Sequence, residues 1–171
     1  MRIGIIGSGR IGGNAGRLFA RAGHEMLFSF SRDPEKLEAL AEETGEGART
    51  GTPREAVEFG EVVMLSVPWG AIDEALGQAG KLEGKIVVDT TNQFGRGSLV
   101  ELPEGLTAAQ LNQRRMPGAR LVKTYNTLTV GFQVEAAGRV GSERVAMFVC
   151  GDDAEAKATV ARLIDDSGPS R

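Results

Sequence analysis

Three glycines follow the first apolar segment of the chain and constrain its fold more than any other feature. In the spacing Gly-x-Gly-x-x-Gly after a strand, the first glycine allows a tight turn and the second leaves room for a pyrophosphate. The third lets a helix pack closely on the strand, and the free N–H groups of that helix would face the phosphates. The pattern predicts a dinucleotide site, although a glycine-rich turn without a ligand is the alternative in a chain with 24 glycines. The predicted cofactor contacts are Gly7, Ser8, Gly9, Arg10, Ile11 and Gly12.

Short β-branched segments alternate with longer amphipathic segments along the rest of the chain. This alternation predicts an α/β fold of the Rossmann-like, doubly wound type, with a mainly parallel sheet and helices on both faces. The apolar stretches at 62–65 and 86–88 are typical of strands that are covered on both sides. The predicted strands are Arg2 to Ile6, Glu25 to Phe30, Ala48 to Thr50, Val62 to Val67, Lys85 to Asp89, Arg120 to Tyr125 and Arg144 to Val149. The predicted helices are Ile11 to Ala22, Pro34 to Glu43, Pro53 to Phe59, Trp69 to Ala79, Thr107 to Arg115 and Asp153 to Asp165.

Composition restricts the classes of partner. A chain of 171 residues, with 41% hydrophobic and 25% charged residues, suits one globular domain over residues 1–171. The net charge of -3 gives no general attraction for nucleic acid or an anionic membrane, so neither is expected as a partner. The apolar amino-terminal run is too short for a secretory signal, and no segment has the apolar length of a membrane span. We therefore expect a cytoplasmic protein, and no spacing of cysteines and histidines predicts a metal site.

The residues after the second strand indicate which nucleotide is preferred. An acidic residue at this point usually binds the ribose 2′-hydroxyl of NAD. Here the chain reads Ser31-Arg32, and Lys36 lies about one helical turn further on. A hydroxyl and two cations suit a 2′-phosphate, so these three residues predict NADP(H), with a solvated polar turn as the alternative. Asp33 precedes Pro34 and is interpreted as a helix cap rather than as a ribose ligand.

Five segments carry a resemblance to a known family. MRIGIIGSGRIGG, FSRDPEK, SVPWGAIDEAL, VVDTTN and VKTYNTL occur in this order over nearly the whole chain. Together they resemble the NADP-dependent oxidoreductases of the deazaflavin coenzyme F420. Fold-level similarity also extends to the nucleotide domain of transmembrane ferric reductases of the STEAP type and to the amino-terminal domains of pyrroline-carboxylate reductases.

The resemblance implies direct hydride transfer between the nicotinamide of NADP(H) and a flavin-like ring stacked beside it. Such a reaction needs correct positioning and exclusion of water more than an acid or base, so we assign no catalytic residue. Family members generally continue past the last helix into a segment that contributes to the coenzyme pocket and to a homodimer contact, and we expect this chain to lack that segment. Three interpretations stay open: a deazaflavin reductase, a reductase of FMN, FAD or another small acceptor, and a non-catalytic NADP(H)-binding module.

The reaction site is expected in the crevice at the carboxyl ends of the first and fourth strands, where the winding of the sheet reverses. Polar groups that leave the fourth and fifth strands would bind the cofactor there, with ordinary loop and cap roles as the alternative for the Asn and Thr residues at these strand ends. Trp69 either forms a wall of this pocket or only packs at the start of the next helix. The predicted cofactor contacts here are Ser66, Val67, Pro68, Thr90 and Asn92, with Thr91 at the same edge. The resemblance adds Asn126 and Thr127, which with Trp69 are predicted to bind the second redox partner.

Two reactive residue types receive no catalytic role. His24, the only histidine, follows Gly23 at a predicted helix end, which favours a structural role. Cys150, the only cysteine, ends a predicted apolar strand, and we expect its thiol to be buried and inert.

Overall fold

The computed structural model describes residues 1–95, 97–139, 141–143 and 145–168. In this part of the chain, parallel strands form one sheet in the order β3-β2-β1-β4-β5-β6. The strands are β1 (Arg2–Ile6), β2 (Glu25–Ser29), β3 (Ala48–Thr50), β4 (Val62–Leu65), β5 (Ile86–Asp89) and β6 (Arg120–Lys123). The helices are α1 (Arg10–Arg21), α2 (Pro34–Thr44), α3 (Pro53–Phe59), α4 (Ile72–Ala79), α5 (Ala108–Arg115), α6 (Val130–Ala137) and α7 (Ala154–Ser167).

Two apolar cores cover the two faces of the sheet. On one face, Phe19 of α1 and Leu163 of α7 pack with Ile5 and other buried strand residues. On the other face, Val57 of α3 and Ile72 of α4 pack with the alternate strand side chains. Both faces are buried, which fits the apolar run of β4 and the apolar centres of β1 and β5, and the predicted doubly wound α/β fold is confirmed.

Several strands end earlier than their apolar patterns predicted. Phe30 and Tyr125 were expected in strands, but their φ angles are +57° and +60°. A left-handed backbone cannot continue a strand, so β2 ends at Ser29 and β6, which ends at Lys123, does not extend to Tyr125. Both turns lie at the carboxyl edge of the sheet.

The predicted strand from Arg144 to Val149 is wrong. Arg144 lies outside the described residues, and residues 145–149 form no strand. Only Cys150 pairs with the sheet, through one antiparallel bridge to Lys123. Phe148 is 71% exposed, so this segment is not covered on both sides as an inner strand would be. Cys150 is also exposed, which contradicts its expected burial.

One helix was not predicted, and another begins differently. The sequence of α6, VGFQVEAA, combines β-branched, aromatic and glycine residues that have low helix propensity, so its pattern gave no helix signal. The helix expected from Trp69 is divided into a 3-10 turn at Trp69–Ala71 and α4. Within the described residues, none of the helices has the length and apolar character needed to cross a bilayer.

His24 has the structural role that the sequence favoured. Gly23 adopts a φ of +87° after α1, and the His24 N–H donates to the carbonyl of Phe19. The His24 ring lies between the amino-terminal nitrogen of Met1, 3.1 Å from Nδ1, and Asp166, 3.2 Å from Nε2. It therefore joins the end of α1 to the end of α7, away from the carboxyl edge of the sheet.

Capping boxes start α3 and α5, and the side chain that closes the box is a carboxylate in α3 and an amide in α5. At α3, Glu55 accepts hydrogen bonds from the N–H and hydroxyl of Thr52, at 2.7 and 2.8 Å. At α5, Gln110 makes the same contacts with Thr107, at 2.9 and 3.0 Å. The hydrogen bonds from Thr52 lower the pKa of the Glu55 carboxyl. The carboxylate therefore stabilises the fold above its ordinary pKa of 4.5, and this contribution is lost as pH falls through the lowered pKa.

This difference predicts opposite pH behaviour for two matched substitutions. Glu55→Ala lowers the free energy of unfolding at neutral pH, and the loss narrows as the solution is acidified past the folded-state pKa. Gln110→Ala causes a loss that is the same at every pH, because an amide does not titrate. Urea unfolding between pH 3 and pH 8, with each variant compared with the wild type, measures both. A Glu55→Ala loss that does not change with pH contradicts the prediction.

Candidate functional site

A cleft of about 560 Å³ opens at the carboxyl edge of the sheet. It lies where the chain leaves β1, β4, β5 and β6, at the reversal of strand order between β1 and β4. We call it the strand-end cleft. Its lining residues are Gly9, Arg10, Ile11, Ser66, Val67, Pro68, Trp69, Thr90, Thr91, Asn92, Phe94, Asn126, Thr127, Leu128 and Thr129.

The glycine loop between β1 and α1 is shaped by close backbone contacts. Gly7 has a φ of +100°, and a Cβ atom there would lie 2.4 Å from the carbonyl oxygen of Ser66. A Cβ at Gly12 would lie 2.3 Å from the carbonyl oxygen of Gly7. These distances confirm the tight turn and the close helix packing that the motif predicted for these two glycines.

Gly9 differs from Gly7 and Gly12, because no contact with the described residues excludes a side chain at this position. A Cβ atom at Gly9 would have no heavy atom within 4 Å. Gly9 is the N-cap of α1, and no side chain caps this helix or contributes a negative charge to its first turn. The first N–H groups of α1 therefore face the open space above Gly9.

Ser8 joins the glycine loop to β2 through a hydrogen bond. Its hydroxyl donates to the carbonyl of Ser29 at 3.0 Å, and the N–H of Gly7 donates to the same carbonyl at 3.0 Å. The Ser29 hydroxyl in turn donates to the carbonyl of Ile5 at 2.7 Å. The Ser8 side chain is thus engaged with the protein, and its predicted contact with a cofactor stays a prediction.

The turn after β2 holds the residues that were predicted to bind a 2′-phosphate. The Ser31 hydroxyl donates to the carbonyl of Asp33 at 2.9 Å and accepts from its N–H. Asp33 caps α2, as expected, by accepting from the N–H of Lys36, and it also pairs with the Lys36 ammonium at 2.9 Å. Hydrogen bonds from Lys36 lower the pKa of the Asp33 carboxyl. Arg32 is exposed and has no ion pair or hydrogen bond to any described residue.

The exit of β4 forms one wall of the cleft. Pro68 keeps the backbone extended, with φ −56° and ψ 146°. Trp69 then begins a 3-10 turn, and its side chain is 6% exposed. The guanidinium of Arg115 lies over the indole at 4.9 Å from the ring centroid, and it also pairs with Asp73 at 2.9 Å. Trp69 therefore packs in the core and also lines the cleft, and its predicted contact with the second redox partner stays a prediction.

The exits of β5 and β6 are joined by an amide pair. Asn92 donates from its Nδ2 to the backbone carbonyl of Asn126 at 2.9 Å, and Asn126 donates back to Oδ1 of Asn92 at 3.2 Å. The Thr90 hydroxyl donates to the carbonyl of Leu65 at 3.2 Å, which ties β5 to β4. Thr127 is exposed beside the pair.

Most of the predicted site residues meet in the cleft. Gly7, Ser8 and Gly12 form the loop next to it, while Ser31, Arg32 and Lys36 lie beyond its lining, past the end of β2. The predicted residues that line the cleft are Gly9, Arg10, Ile11, Ser66, Val67, Pro68, Trp69, Thr90, Asn92, Asn126 and Thr127.

Sequence reasoning missed three lining residues and one buried acid. Phe94 and Thr129 line the cleft outside the segments that carry the resemblance, and Leu128 ends the VKTYNTL segment but received no predicted role. Phe94 is an isolated aromatic residue in a glycine-rich loop and is 62% exposed. Asp89, at the end of β5, is fully buried beneath the lining. A carboxylate that ends an apolar strand was the available signal for it.

Comparisons with known proteins agree with this architecture. The family model described as "NADP oxidoreductase coenzyme F420-dependent" matches residues 2–93, which include the glycine loop and the exits of β2, β4 and β5. The comparison with curated proteins found no match.

Two solved structures are similar over almost the whole chain at 27% sequence identity. A hypothetical protein from Sinorhizobium meliloti has a TM-score of 0.84, and the match covers 98% of this chain and 81% of that one. A protein from Arthrobacter sp. FB24, named as a candidate F420-dependent NADP reductase, has a TM-score of 0.81, with 99% and 82% covered.

A third structure shares the fold alone. The pyrroline carboxylate reductase of Plasmodium falciparum, solved with NADP bound, has a TM-score of 0.66 at 11% identity, and 98% of this chain matches 55% of that one. The family model covers more than half of the present chain. The chain belongs to the coenzyme F420-dependent family of NADP oxidoreductases.

Proposed function

We propose that this chain binds NADP(H) along the carboxyl edge of its sheet and transfers hydride between the nicotinamide and a deazaflavin ring in the strand-end cleft. The observation that carries the proposal is the uncapped amino end of α1, which opens beside a cleft of about 560 Å³. Membership of an NADP oxidoreductase family gives the reaction class.

The pyrophosphate would lie at the glycine loop. The N–H groups of the first turn of α1 and the positive end of its dipole stabilise an anion there. The free space above Gly9 lets the phosphates approach the backbone. Arg10 is exposed, lines the cleft and adds a full positive charge next to the same helix end.

The 2′-phosphate would lie at the exit of β2. No described residue pairs with Arg32, so its guanidinium is available for a bidentate contact with a phosphate. Lys36 is paired with Asp33, but the Lys36 side chain is 83% exposed. An exposed pair of this kind contributes little free energy, so the ammonium can turn towards a phosphate at small cost.

The nicotinamide and the acceptor ring would share the strand-end cleft. Pro68 and Trp69 form one wall, and the Asn92–Asn126 amide pair offers polar groups on the exits of β5 and β6. Arg10 is the only charged residue among the described residues that line the cleft. Hydride transfer suits such a lining, because the nicotinamide supplies both electrons with the hydrogen and the protein has only to position the two rings and exclude water.

A charge reversal tests the 2′-phosphate site. Arg32→Glu is expected to weaken NADPH binding by about 10- to 100-fold, the equivalent of roughly 1.5–3 kcal/mol for a hydrogen bond to a charged group. NADH binding should change much less, because NADH lacks the phosphate. Arg21→Glu, an exposed reversal at the far end of α1, controls for the change in net charge. Fluorescence titration measures the affinities of the wild type and both variants for NADPH and NADH, and equal losses for NADPH and NADH contradict the assignment.

A second substitution tests the pyrophosphate site. Gly9→Ser introduces a side chain into space that the protein leaves empty, and serine is a favourable N-cap, so the melting temperature should be unchanged or slightly higher. Binding of NADPH and of NADH should both fall by about 10-fold or more, because the new side chain occupies the approach to the backbone. Gly77→Ser places the same side chain in open space on α4 and serves as control. Undiminished binding to the Gly9→Ser protein contradicts the proposed position of the cofactor.

The acceptor is tested by NADPH oxidation at 340 nm with deazaflavin, FMN and FAD in turn. Turnover that is fastest with deazaflavin supports the proposal. Comparable or faster turnover with FMN or FAD contradicts the deazaflavin assignment and selects a flavin reductase. Tight NADPH binding without turnover on any of the three acceptors contradicts hydride transfer itself.

A further inference from the structure

We propose that Asp89 is a positioning residue that, through Asn112 and Arg115, holds two walls of the strand-end cleft in a fixed relation to each other. One wall is the exit of β5 and the other is Trp69, at the exit of β4. The consequence for hydride transfer rests on the proposed function, whereas the structural coupling does not.

Each oxygen atom of the Asp89 carboxylate accepts two hydrogen bonds. Its Oδ1 accepts from the N–H of Thr91 at 2.8 Å and from the Thr91 hydroxyl at 2.7 Å. Its Oδ2 accepts from Nδ2 of Asn112 at 3.0 Å and from the ammonium of Lys123 at 3.3 Å. A fully buried carboxylate is tolerated only when it is paired and hydrogen-bonded in this way.

The first branch of this network fixes the exit of β5. Asp89 contacts Thr91 through both its backbone and its side chain, and the Lys123 ammonium donates to the carbonyl of Thr91 at 2.5 Å. Thr91 thus has three of its polar groups bound below the cleft. Because Thr90 and Asn92 flank it in the chain and line the cleft, their positions follow from that of Thr91.

The second branch runs from Asp89 to the tryptophan. Asn112 is fully buried, and its Nδ2 donates to both Asp89 and the Thr91 hydroxyl, each at 3.0 Å. Its Oδ1 accepts from Nη1 of Arg115 at 2.9 Å, and the Arg115 guanidinium lies over the Trp69 ring. The Asn112 amide has only one orientation that satisfies all three partners, since the reverse would put its oxygen against two acceptors.

The position of the network argues for a role in the site. Burying a charge gives little stability compared with apolar residues of similar volume, but it fixes a geometry, because any displacement leaves a charge without partners. This carboxylate lies directly below the cleft, at the end of a strand whose other residues are apolar. The guanidinium also shields one side of an indole that faces the cleft.

The test uses Trp69, the only tryptophan of the chain, as a reporter. Asn112→Ala breaks the link between Asp89 and Arg115, and Arg115→Met removes the guanidinium but keeps an apolar stem over the ring. Arg114→Met, at the exposed neighbouring position on α5, is the matched control. Acrylamide quenching of Trp69 in the ligand-free proteins, and kcat and KM for NADPH oxidation, are measured for all of them.

We expect both network variants to increase the quenching constant of Trp69 by about twofold. They should also lower kcat by about 10-fold or more with a smaller change in the KM for NADPH, because misplaced reacting groups reduce the rate of the chemical step. Arg114→Met should match the wild type. Unchanged quenching in a folded Asn112→Ala or Arg115→Met protein overturns the proposal, and so does increased quenching with an unchanged kcat.

The two proposals fail in different ways. If the wild type oxidises no NADPH with any acceptor, the proposed function is wrong, and the quenching data on the ligand-free proteins still decide whether the network holds Trp69. If Asn112→Ala does not fold, Arg115→Met decides it, since that change removes only a partly exposed group.

Discussion

The close approach of α1 to the ends of β1 and β4 is the constraint on which the rest of the site depends. Gly7 and Gly12 let three backbone segments meet within van der Waals distance, and any side chain at either position would overlap a carbonyl oxygen. This contact aims the amino end of α1 at the space between β1 and β4, where the strand order reverses. The cleft and the uncapped helix end beside it therefore both result from one packing arrangement.

The turns after β2 and β6 also shape the carboxyl edge of the sheet. Phe30, directly after β2, and Tyr125, two residues after the end of β6, adopt left-handed backbone conformations at the same edge of the sheet. Such conformations cost free energy in residues other than glycine and are retained where the surrounding structure fixes them. Here they turn the chain so that Arg32 follows one strand and Asn126 follows the other. The cofactor site we propose thus uses strained turns on both sides of the glycine loop.

The sequence predicted those parts of the fold and site that depend on local patterns. Glycine spacing, proline after a capping residue and uninterrupted apolar strands each report a backbone requirement that neighbouring residues reveal. For this reason α3 was predicted at its observed bounds, and most of the cleft lining was found. By contrast, α6 and the segment near Cys150 depend on tertiary contacts. The apolar run before Cys150 predicts a strand, but among the described residues this segment makes only one bridge to β6.

The network around Asp89 shows why residues that are far apart in the sequence are not predicted to form one group. Its members lie on β5, α5 and β6, and only folding brings Asp89 within hydrogen-bond distance of Asn112 and Lys123. Each residue alone has an ordinary explanation as a loop, helix or strand-end polar group. Their chemistry arises from burial, because a desolvated carboxylate must collect donors from wherever the fold provides them. Lys123 also donates to Thr91, and Asn112 also accepts from Arg115. The donors that the buried carboxylate needs therefore also fix residues on two sides of the cleft.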